Sequence, residues 1–233
     1  MNKFLGRLLI IFTIISIFLM GFGWIQESVY RNGDYYKSQW INTHKNEKYE
    51  VVIIGNSRAS QLKINNVSYL NLAEDGLGMK ITYLQLYQFF KNCNKASEVF
   101  LEGDASSLRK LDETRRSPRW LPFFNDSVVF NALKYEHKLF KYHKAFPAVN
   151  YLIFKYDWGI PALLNNVFSL RPSPWGEYGY FYTCDSYIDS ELKGSTDFIS
   201  YPPNWKWINK IKELCELNNS QLTIFTAPNY YMK

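Results

Sequence analysis

The chain has 233 residues, of which 47% are hydrophobic, 18% aromatic and 21% charged, and its formal net charge is +6. This composition is typical of a folded protein with one sizeable core and excludes a wholly disordered chain. The densest basic cluster, within residues 109–119, lies among prolines and acidic residues, which favours a solvated loop. Because no zinc-finger spacing, nucleotide-binding glycine motif or RNA-binding aromatic motif accompanies it, we expect neither nucleic acid nor nucleotide as a partner.

The N-terminal segment has the composition of a membrane anchor. Residues 8–25, LLIIFTIISIFLMGFGWI, contain no charged side chain, and roughly 20 such residues are needed to cross a bilayer as a helix. Lys3 and Arg7 precede this run, so the positive-inside rule predicts a cytoplasmic N-terminus and a domain outside the membrane. A cleaved signal peptide is the alternative, but its apolar core would be shorter and would end in a small-x-small site. We therefore predict a single-pass signal anchor over residues 1–25.

Beyond the anchor, residues 26–48 are polar and aromatic without a clear period, which indicates a juxtamembrane linker. Four short apolar runs then predict strands buried in a parallel sheet. They are EVVIIGNS (50–57), VSYLNL (67–72), SEVFLEGD (97–104) and SQLTIFTAPN (220–229). Residues 79–92 and 204–219 have helical periodicity, the second with Ile208, Ile211, Leu214 and Cys215 on one stripe. Strands that alternate with helices predict an α/β layered fold with right-handed crossovers.

The middle of the chain has a different pattern. Residues 105–122 form a basic, proline-punctuated stretch, and 125–144 predict a helix whose capping residues come from Asn125, Asp126 and Ser127. The following stretch RPSPWGEYGYFYTC (171–184) is dense in aromatic side chains. It has two interpretations, a loop packed on its own side chains or a surface on which sugars stack.

The cysteines do not indicate a metal site. Cys93, Cys184 and Cys215 are odd in number, so they cannot form a complete set of disulfides. The sequence has no CxxC motif and no Cys/His spacing typical of metal ligation. We expect no metal and no organic cofactor, although carboxylate ligands remain an alternative.

Chemically useful residues follow three of the four predicted strands. Ser57 follows the first strand, Gly76 comes shortly after the second, and Glu102, Gly103 and Asp104 end the third. In a parallel sheet, reacting groups collect at the carboxyl ends of the strands. A serine on a sharp strand-to-helix turn is exposed and surrounded by backbone N–H groups, as acyl transfer requires. The alternative is that Gly-Asn-Ser is ordinary turn chemistry after a strand.

These residues resemble a known family. The stretch IIGNSRAS (53–60) is similar to the first block of the SGNH, or GDSL-type, hydrolase superfamily, in which a strand delivers a nucleophilic serine. The stretch NLAEDG (71–76) resembles the second block, in which an Asn is followed five positions later by a Gly whose N–H serves the oxyanion hole. The resemblance implies that Ser57 is the nucleophile and that Ser57 and Gly76 are oxyanion donors. With the anchor, it is closest to membrane-anchored envelope members, whose relatives are esterases and O-acetyltransferases of cell-surface polymers.

The sequence departs from the family pattern in two places. The third block, GxND, is replaced by GDAS (103–106), which lacks the Asn donor. The last block, DxxH, supplies the general base, but none of the three histidines, His44, His137 and His143, follows the fourth predicted strand. We therefore expect a C-terminally truncated member whose general base has been lost and whose turnover is impaired.

The resemblance implies a three-layer, flavodoxin-like parallel sheet, incomplete at its C-terminus and preceded by one transmembrane helix. The SGNH-like domain is expected over residues 49–233, with an aromatic-rich insertion at about 105–204. Three further residues are candidates for supporting roles. Asn56 and Arg58 flank the serine; Arg58 would face an anionic polymer or oxyanion, or form a surface salt bridge, and Asp104 would bond near Ser57 or cap a turn.

Two functions follow from these expectations. The first is an ancestral serine esterase or O-acetyltransferase of the cell envelope that acts on a surface polysaccharide, with the membrane and that polysaccharide as partners. The alternative is a non-catalytic envelope protein that binds a glycan or a protein partner, because a fold does not dictate a function.

Overall fold

The computed structural model describes residues 2–32, 37–74, 76–103, 108, 117–138, 140–142 and 203–226. These residues belong to two compact units. The first unit contains the described residues up to Gln39 together with those in 117–142. The second contains the described residues from Trp40 to 108 together with 203–226, and it carries the candidate site.

The second unit is built on a parallel sheet of four strands in the order β2-β1-β3-β4. The strands are β1 (Lys48–Ile54), β2 (Tyr69–Asn71), β3 (Lys95–Glu102) and β4 (Gln221–Phe225). The α/β class and all four predicted strands are thus confirmed. The register pairs Ile53 with Asn71 on one side and with Phe100 on the other, so the carboxyl ends of the three strands lie at one edge.

Helices connect and flank these strands. In chain order they are α1 (Asn2–Asn32), α2 (Lys37–Thr43), α3 (Ser57–Ser60), α4 (Met79–Lys91), α5 (Ser127–Leu133) and α6 (Trp205–Leu217), with 3-10 turns at Ser117–Phe123 and Phe140–Tyr142. Helices α4 and α6 confirm the prediction that residues 79–92 and 204–219 are helical. They pack on each other through Tyr83 and Trp207, whose ring centroids are 5.3 Å apart.

Alternation along the strands divides the core between two faces of the sheet. On one face, Val51 and Ile53 of β1 join a cluster with Ala59 of α3, against which Phe100 and Phe225 pack. The side chains that alternate with these are also buried completely, namely Val52, Ile54, Val99 and Leu101. Burial on both faces explains why β1 and β3 contain the continuous apolar runs VVII and VFL.

The buried stripe of α6 agrees with its periodicity. Ile208, Ile211 and Cys215 are buried, whereas Leu214 is half-buried. Burial, together with the nearby charge of Glu216, raises the pKa of the Cys215 thiol to about 12. Cys215 therefore behaves as a small apolar core residue rather than as a nucleophile.

Residues 26–48, predicted to be a juxtamembrane linker, are more helical than their composition indicates. Helix α1 continues to Asn32, and α2 covers Lys37–Thr43. The side chains of Trp40 and Ile41 are buried, so tertiary packing stabilises a helix that has no repeated apolar pattern in the sequence.

The helix predicted over 125–144 is shorter than expected. Asp126 is its N-cap, and its Oδ1 accepts hydrogen bonds from the N–H groups of Val128 (2.7 Å) and Val129 (3.4 Å). The helix ends at Leu133. Val129 and Leu133 are buried, but the next positions on that stripe are Glu136 and His137, so a further turn would have no apolar face to bury.

Helix α1 covers the segment predicted to be the membrane anchor. It is 31 residues long, and large apolar side chains along it, such as Leu9, Phe12 and Phe18, are mostly exposed. When only the residues whose side chains the structure describes are counted, which leaves gaps within α1, no helix is both long enough and apolar enough to cross a membrane.

Several sequence predictions fall outside the described residues. They concern Asp104, His143, Cys184 and the aromatic stretch 171–184, together with most of the predicted insertion.

Candidate functional site

Ser57 lies directly after β1, at a sharp turn from strand to helix. The strand ends at Ile54, Gly55 has a φ of +149°, and Asn56 is extended with φ −102° and ψ −166°. Ser57 then opens α3 and is half-buried. The turn therefore brings the predicted nucleophile to the carboxyl edge of the sheet.

Glycine is required at position 55 for two reasons. Its φ lies in a region that residues with a side chain rarely adopt. In addition, a Cβ on Gly55 would lie 2.5 Å from the Cβ of Glu102 and 2.8 Å from its Oε2. The absence of a side chain thus lets the turn before Ser57 pass against the end of β3.

The backbone N–H groups of Ser57 and Gly76 converge on one oxygen atom. Both donate to Oδ1 of Asn56, with N···O distances of 2.7 Å from Ser57 and 2.9 Å from Gly76. Donors of an oxyanion hole lie about 2.7–3.1 Å from the oxygen that they stabilise. The structure therefore brings together the two predicted oxyanion donors, and the Asn56 side chain occupies the position between them.

The side chain of Glu102 holds this turn in place through a hydrogen bond, a role that the sequence did not reveal. Its side chain is 1% exposed at the end of β3, and its Oε2 accepts a hydrogen bond from the N–H of Asn56 at 2.5 Å. The chain leaves β1 for β2 on one side and returns to β3 on the other, so β1 and β3 flank a topological switch point. Ligands of open α/β sheets bind at such points, and Glu102 joins the two strands there.

Asn71, the first residue of the second family-like block, positions α3. It is completely buried, and its Nδ2 donates to the carbonyl oxygens of Ala59 (2.8 Å) and Leu62 (3.1 Å). Its Oδ1 accepts from the N–H of Ala73 at 3.0 Å. Asn71 therefore ties β2 to the helix that begins at Ser57.

The immediate neighbours of Ser57 have distinct contacts. The hydroxyl of Ser60 donates to the carbonyl oxygen of Ser57 at 2.6 Å, so Ser60 stabilises the turn of α3. Arg58 is half-buried on α3. Within the described part of the chain, no group forms a hydrogen bond with the Ser57 hydroxyl itself.

Each of the described histidines contacts an aromatic residue. His44 precedes β1, and the seven residues of that strand place it about 20 Å from the edge that carries Ser57. Its Nδ1 lies 2.8 Å from the carbonyl oxygen of Trp40, on whose ring the imidazole stacks. His137 belongs to the first unit, where its ring contacts Phe140. Thus the described residues of the second unit place no histidine beside Ser57.

In the part of the chain that the structure describes, this site coincides neither with a metal-binding cluster nor with the pocket near the amino end of β2. Among the described residues, no group of three or more His, Cys, Asp and Glu side chains is arranged to hold a metal ion. An open pocket of about 600 Å³ is lined by residues 63–69 and Glu50, near the amino end of β2. Its lining includes neither Ser57 nor the groups that contact Asn56.

Comparison of the chain with protein-family models, with curated proteins and with solved structures finds no match. The chemistry of the site is therefore inferred from the geometry around Ser57.

Proposed function

We propose that the second unit is an SGNH-like acyl-transfer domain, with Ser57 as the nucleophile and the N–H groups of Ser57 and Gly76 as oxyanion donors. The observation that carries this proposal is the convergence of those two N–H groups on one oxygen atom beside the serine. The strand order supports it as well, because β2-β1-β3-β4 is the order of the first four strands of a flavodoxin-like sheet.

The proposed reaction begins with attack of the Ser57 Oγ on the carbonyl carbon of an ester. The carbonyl oxygen gains negative charge between the N–H groups of Ser57 and Gly76; the ester C–O bond then breaks, and the alcohol leaves with the proton that the Ser57 hydroxyl has released. The acyl group passes from the serine to water in an esterase, or to a sugar hydroxyl in an O-acetyltransferase. For the substrate oxygen to enter, the Asn56 side chain must rotate out of the position that it occupies.

The rate of this reaction depends on which group accepts the proton of the Ser57 hydroxyl. A serine hydroxyl is a weak nucleophile unless a neighbouring base accepts its proton, and loss of the base of a catalytic triad costs several orders of magnitude in rate. Because the described residues of the second unit supply no histidine beside Ser57, we propose slow turnover unless another part of the chain supplies the base.

A fluorophosphonate probe tests this proposal. We expect covalent labelling of the wild-type chain, complete loss of labelling in Ser57→Ala, and unchanged labelling in Ser68→Ala, which changes an exposed serine directly before β2, away from the carboxyl edge of the sheet. The pH profile identifies the proton acceptor, because a histidine base gives a plateau above about pH 7 whereas an unassisted hydroxyl reacts faster up to pH 10. Absence of labelling throughout that range contradicts an acyl-transfer site.

We also propose that α1 anchors the protein in the cytoplasmic membrane, with the second unit outside. The support is the uncharged run over residues 8–25, the positive charges of Lys3 and Arg7 before it, and the exposure of its described apolar side chains. An envelope location would bring a surface polysaccharide within reach of Ser57.

Membrane extraction tests the anchor. Replacing Ile11 and Ile15 by lysine is expected to move the protein from the membrane fraction to the alkali-soluble fraction, since each buried lysine costs about 3 kcal/mol of insertion free energy. Leu217→Lys changes an exposed leucine on α6 and should leave the distribution unchanged. A wild-type chain that is released by alkaline carbonate would contradict the anchor.

One observation favours a second function, that of a non-catalytic envelope protein that binds a glycan or a protein partner. The Asn56 side chain already satisfies both predicted oxyanion donors, as it would in a turn that serves only structure. The same fluorophosphonate experiment separates the two functions, because this alternative predicts no labelling at Ser57.

A further inference from the structure

Lysine side chains converge on aromatic rings where α4 and α6 pack together. The ammonium groups of Lys80, Lys206 and Lys210 lie 6.0, 5.4 and 5.5 Å from the centroid of the Trp207 ring. Lys210 also lies 5.6 Å from the Tyr83 ring. Further along α4, the Lys91 ammonium is 6.0 Å from the ring of Tyr87. We call this surface the basic seam; it consists of Lys80, Tyr83, Tyr87, Lys91, Lys206, Trp207 and Lys210.

In the basic seam, positively charged lysine side chains lie over buried aromatic rings. Tyr83 and Trp207 are buried, whereas Lys206 is exposed and Lys80 and Lys210 are half-buried. Lysine side chains in such positions place their apolar stems over the rings and their ammonium groups toward solvent. Lys206 and Lys210 lie one turn apart on α6, a spacing at which side chains on a helix are neighbours. Like charges this close repel each other, and a bound anion would relieve that repulsion.

The topology places one end of the seam at the edge that carries Ser57. Helix α4 follows β2 and leads back to the parallel strand β3, so it begins at the carboxyl edge of the sheet. Helix α6 leads into β4 and begins at the same edge for the same reason. Lys80 and Lys206 are in the first turns of these helices, and Gly76 comes shortly before α4.

We propose that the basic seam binds an anionic polysaccharide and leads it to Ser57. This inference rests on the proposed function, because acyl transfer at Ser57 is what gives the polymer a role as substrate. An extended partner fits better than a single small anion, since Lys80 and Lys91 are separated by about 16 Å along α4. Cation–π contacts pre-order the lysines, so fewer side-chain rotations are lost when carboxylates or phosphates of the polymer bind.

Binding of fluorescent polygalacturonate fragments to the full chain in detergent micelles tests the inference. The test variant is Lys206→Gln/Lys210→Gln, which keeps the side-chain stems and removes two charges. The matched control is Lys212→Gln, on the opposite side of α6, where Lys212 pairs with Glu216 at 3.8 Å. Neutral dextran, single-stranded DNA and phosphatidylglycerol vesicles are compared as other probes.

We expect wild type and Lys212→Gln to bind polygalacturonate alike, the double variant to bind about tenfold more weakly, and added salt to weaken binding. Equal binding by the double variant and wild type overturns the proposal, as does tighter binding of dextran, DNA or vesicles than of polygalacturonate. Fluorophosphonate labelling is measured on the same variants. If the protein is labelled but does not bind the polymer, the proposed role of the basic seam is wrong and the acyl-transfer function is unaffected. If the protein binds the polymer but is not labelled, only the acyl-transfer function is contradicted.

Discussion

Gly55→Ala is expected to destabilise the protein by about 3 kcal/mol or more, because two unfavourable effects coincide at this position. Alanine is strained at a φ of +149°, and its Cβ would collide with the Cβ of Glu102 at 2.5 Å. Glu102 is buried and bonded to the N–H of Asn56, so it cannot move away cheaply. Urea unfolding monitored by tryptophan fluorescence measures the loss.

Gly103→Ala provides the matched control. Its Cβ would approach the Cγ2 of Ile224 at 2.4 Å, which is as close as the contact at position 55. However, Ile224 is 56% exposed on β4, so its side chain can rotate toward solvent. We expect a loss of about 1 kcal/mol at Gly103. Equal losses for the two variants would show that neither the backbone conformation of Gly55 nor the burial of Glu102 matters.

Glu102→Ala is expected to cost about 3 kcal/mol of stability and to slow fluorophosphonate labelling of Ser57. The variant removes the acceptor of the Asn56 N–H and leaves a cavity at the end of β3. Without that acceptor, the turn that presents Ser57 is less fixed. Denaturant unfolding and the labelling rate, measured at a temperature where the variant remains folded, report the two effects.

Two further variants distinguish positioning from general destabilisation. Glu102→Gln retains a side-chain oxygen that can accept from Asn56, so we expect it to recover most of the labelling rate. Glu98→Ala, on the same face of β3, removes a hydrogen bond from the Thr223 hydroxyl, at 2.5 Å, and should lower stability by about 1 kcal/mol without changing labelling. If Glu98→Ala slowed labelling as much as Glu102→Ala, a specific role for Glu102 would be wrong.

The sequence predicts the central strands of the sheet well because β1 and β3 are buried on both faces where they end. β1 contains the apolar run VVII before Gly55, β3 contains VFL shortly before Gly103, and α4 and α6 have apolar stripes of helical period. Such patterns depend on local residues and can be read without the structure. The helix Lys37–Thr43 depends on the burial of Trp40 and Ile41. The local sequence has no apolar pattern from which this burial could be predicted.

The candidate site also combines features that the sequence predicts with features that only the folded chain shows. Ser57 and Gly76 could be predicted because each follows a strand and matches a family-like block. The contact between Glu102 and Asn56 depends on the register that pairs Ile54 with Leu101, and one sequence does not specify a register between distant strands. Likewise, the rotamer that places Asn56 Oδ1 between two N–H groups is visible only in the folded chain.

A crystal structure of the protein after reaction with a fluorophosphonate tests the central claim most directly. The account predicts an adduct on the Ser57 Oγ, with a phosphonyl oxygen about 3 Å from the backbone nitrogens of Ser57 and Gly76 and with the Asn56 side chain rotated away. An adduct on another residue would contradict the account. So would a phosphonyl oxygen that points elsewhere while Asn56 Oδ1 still accepts from both N–H groups.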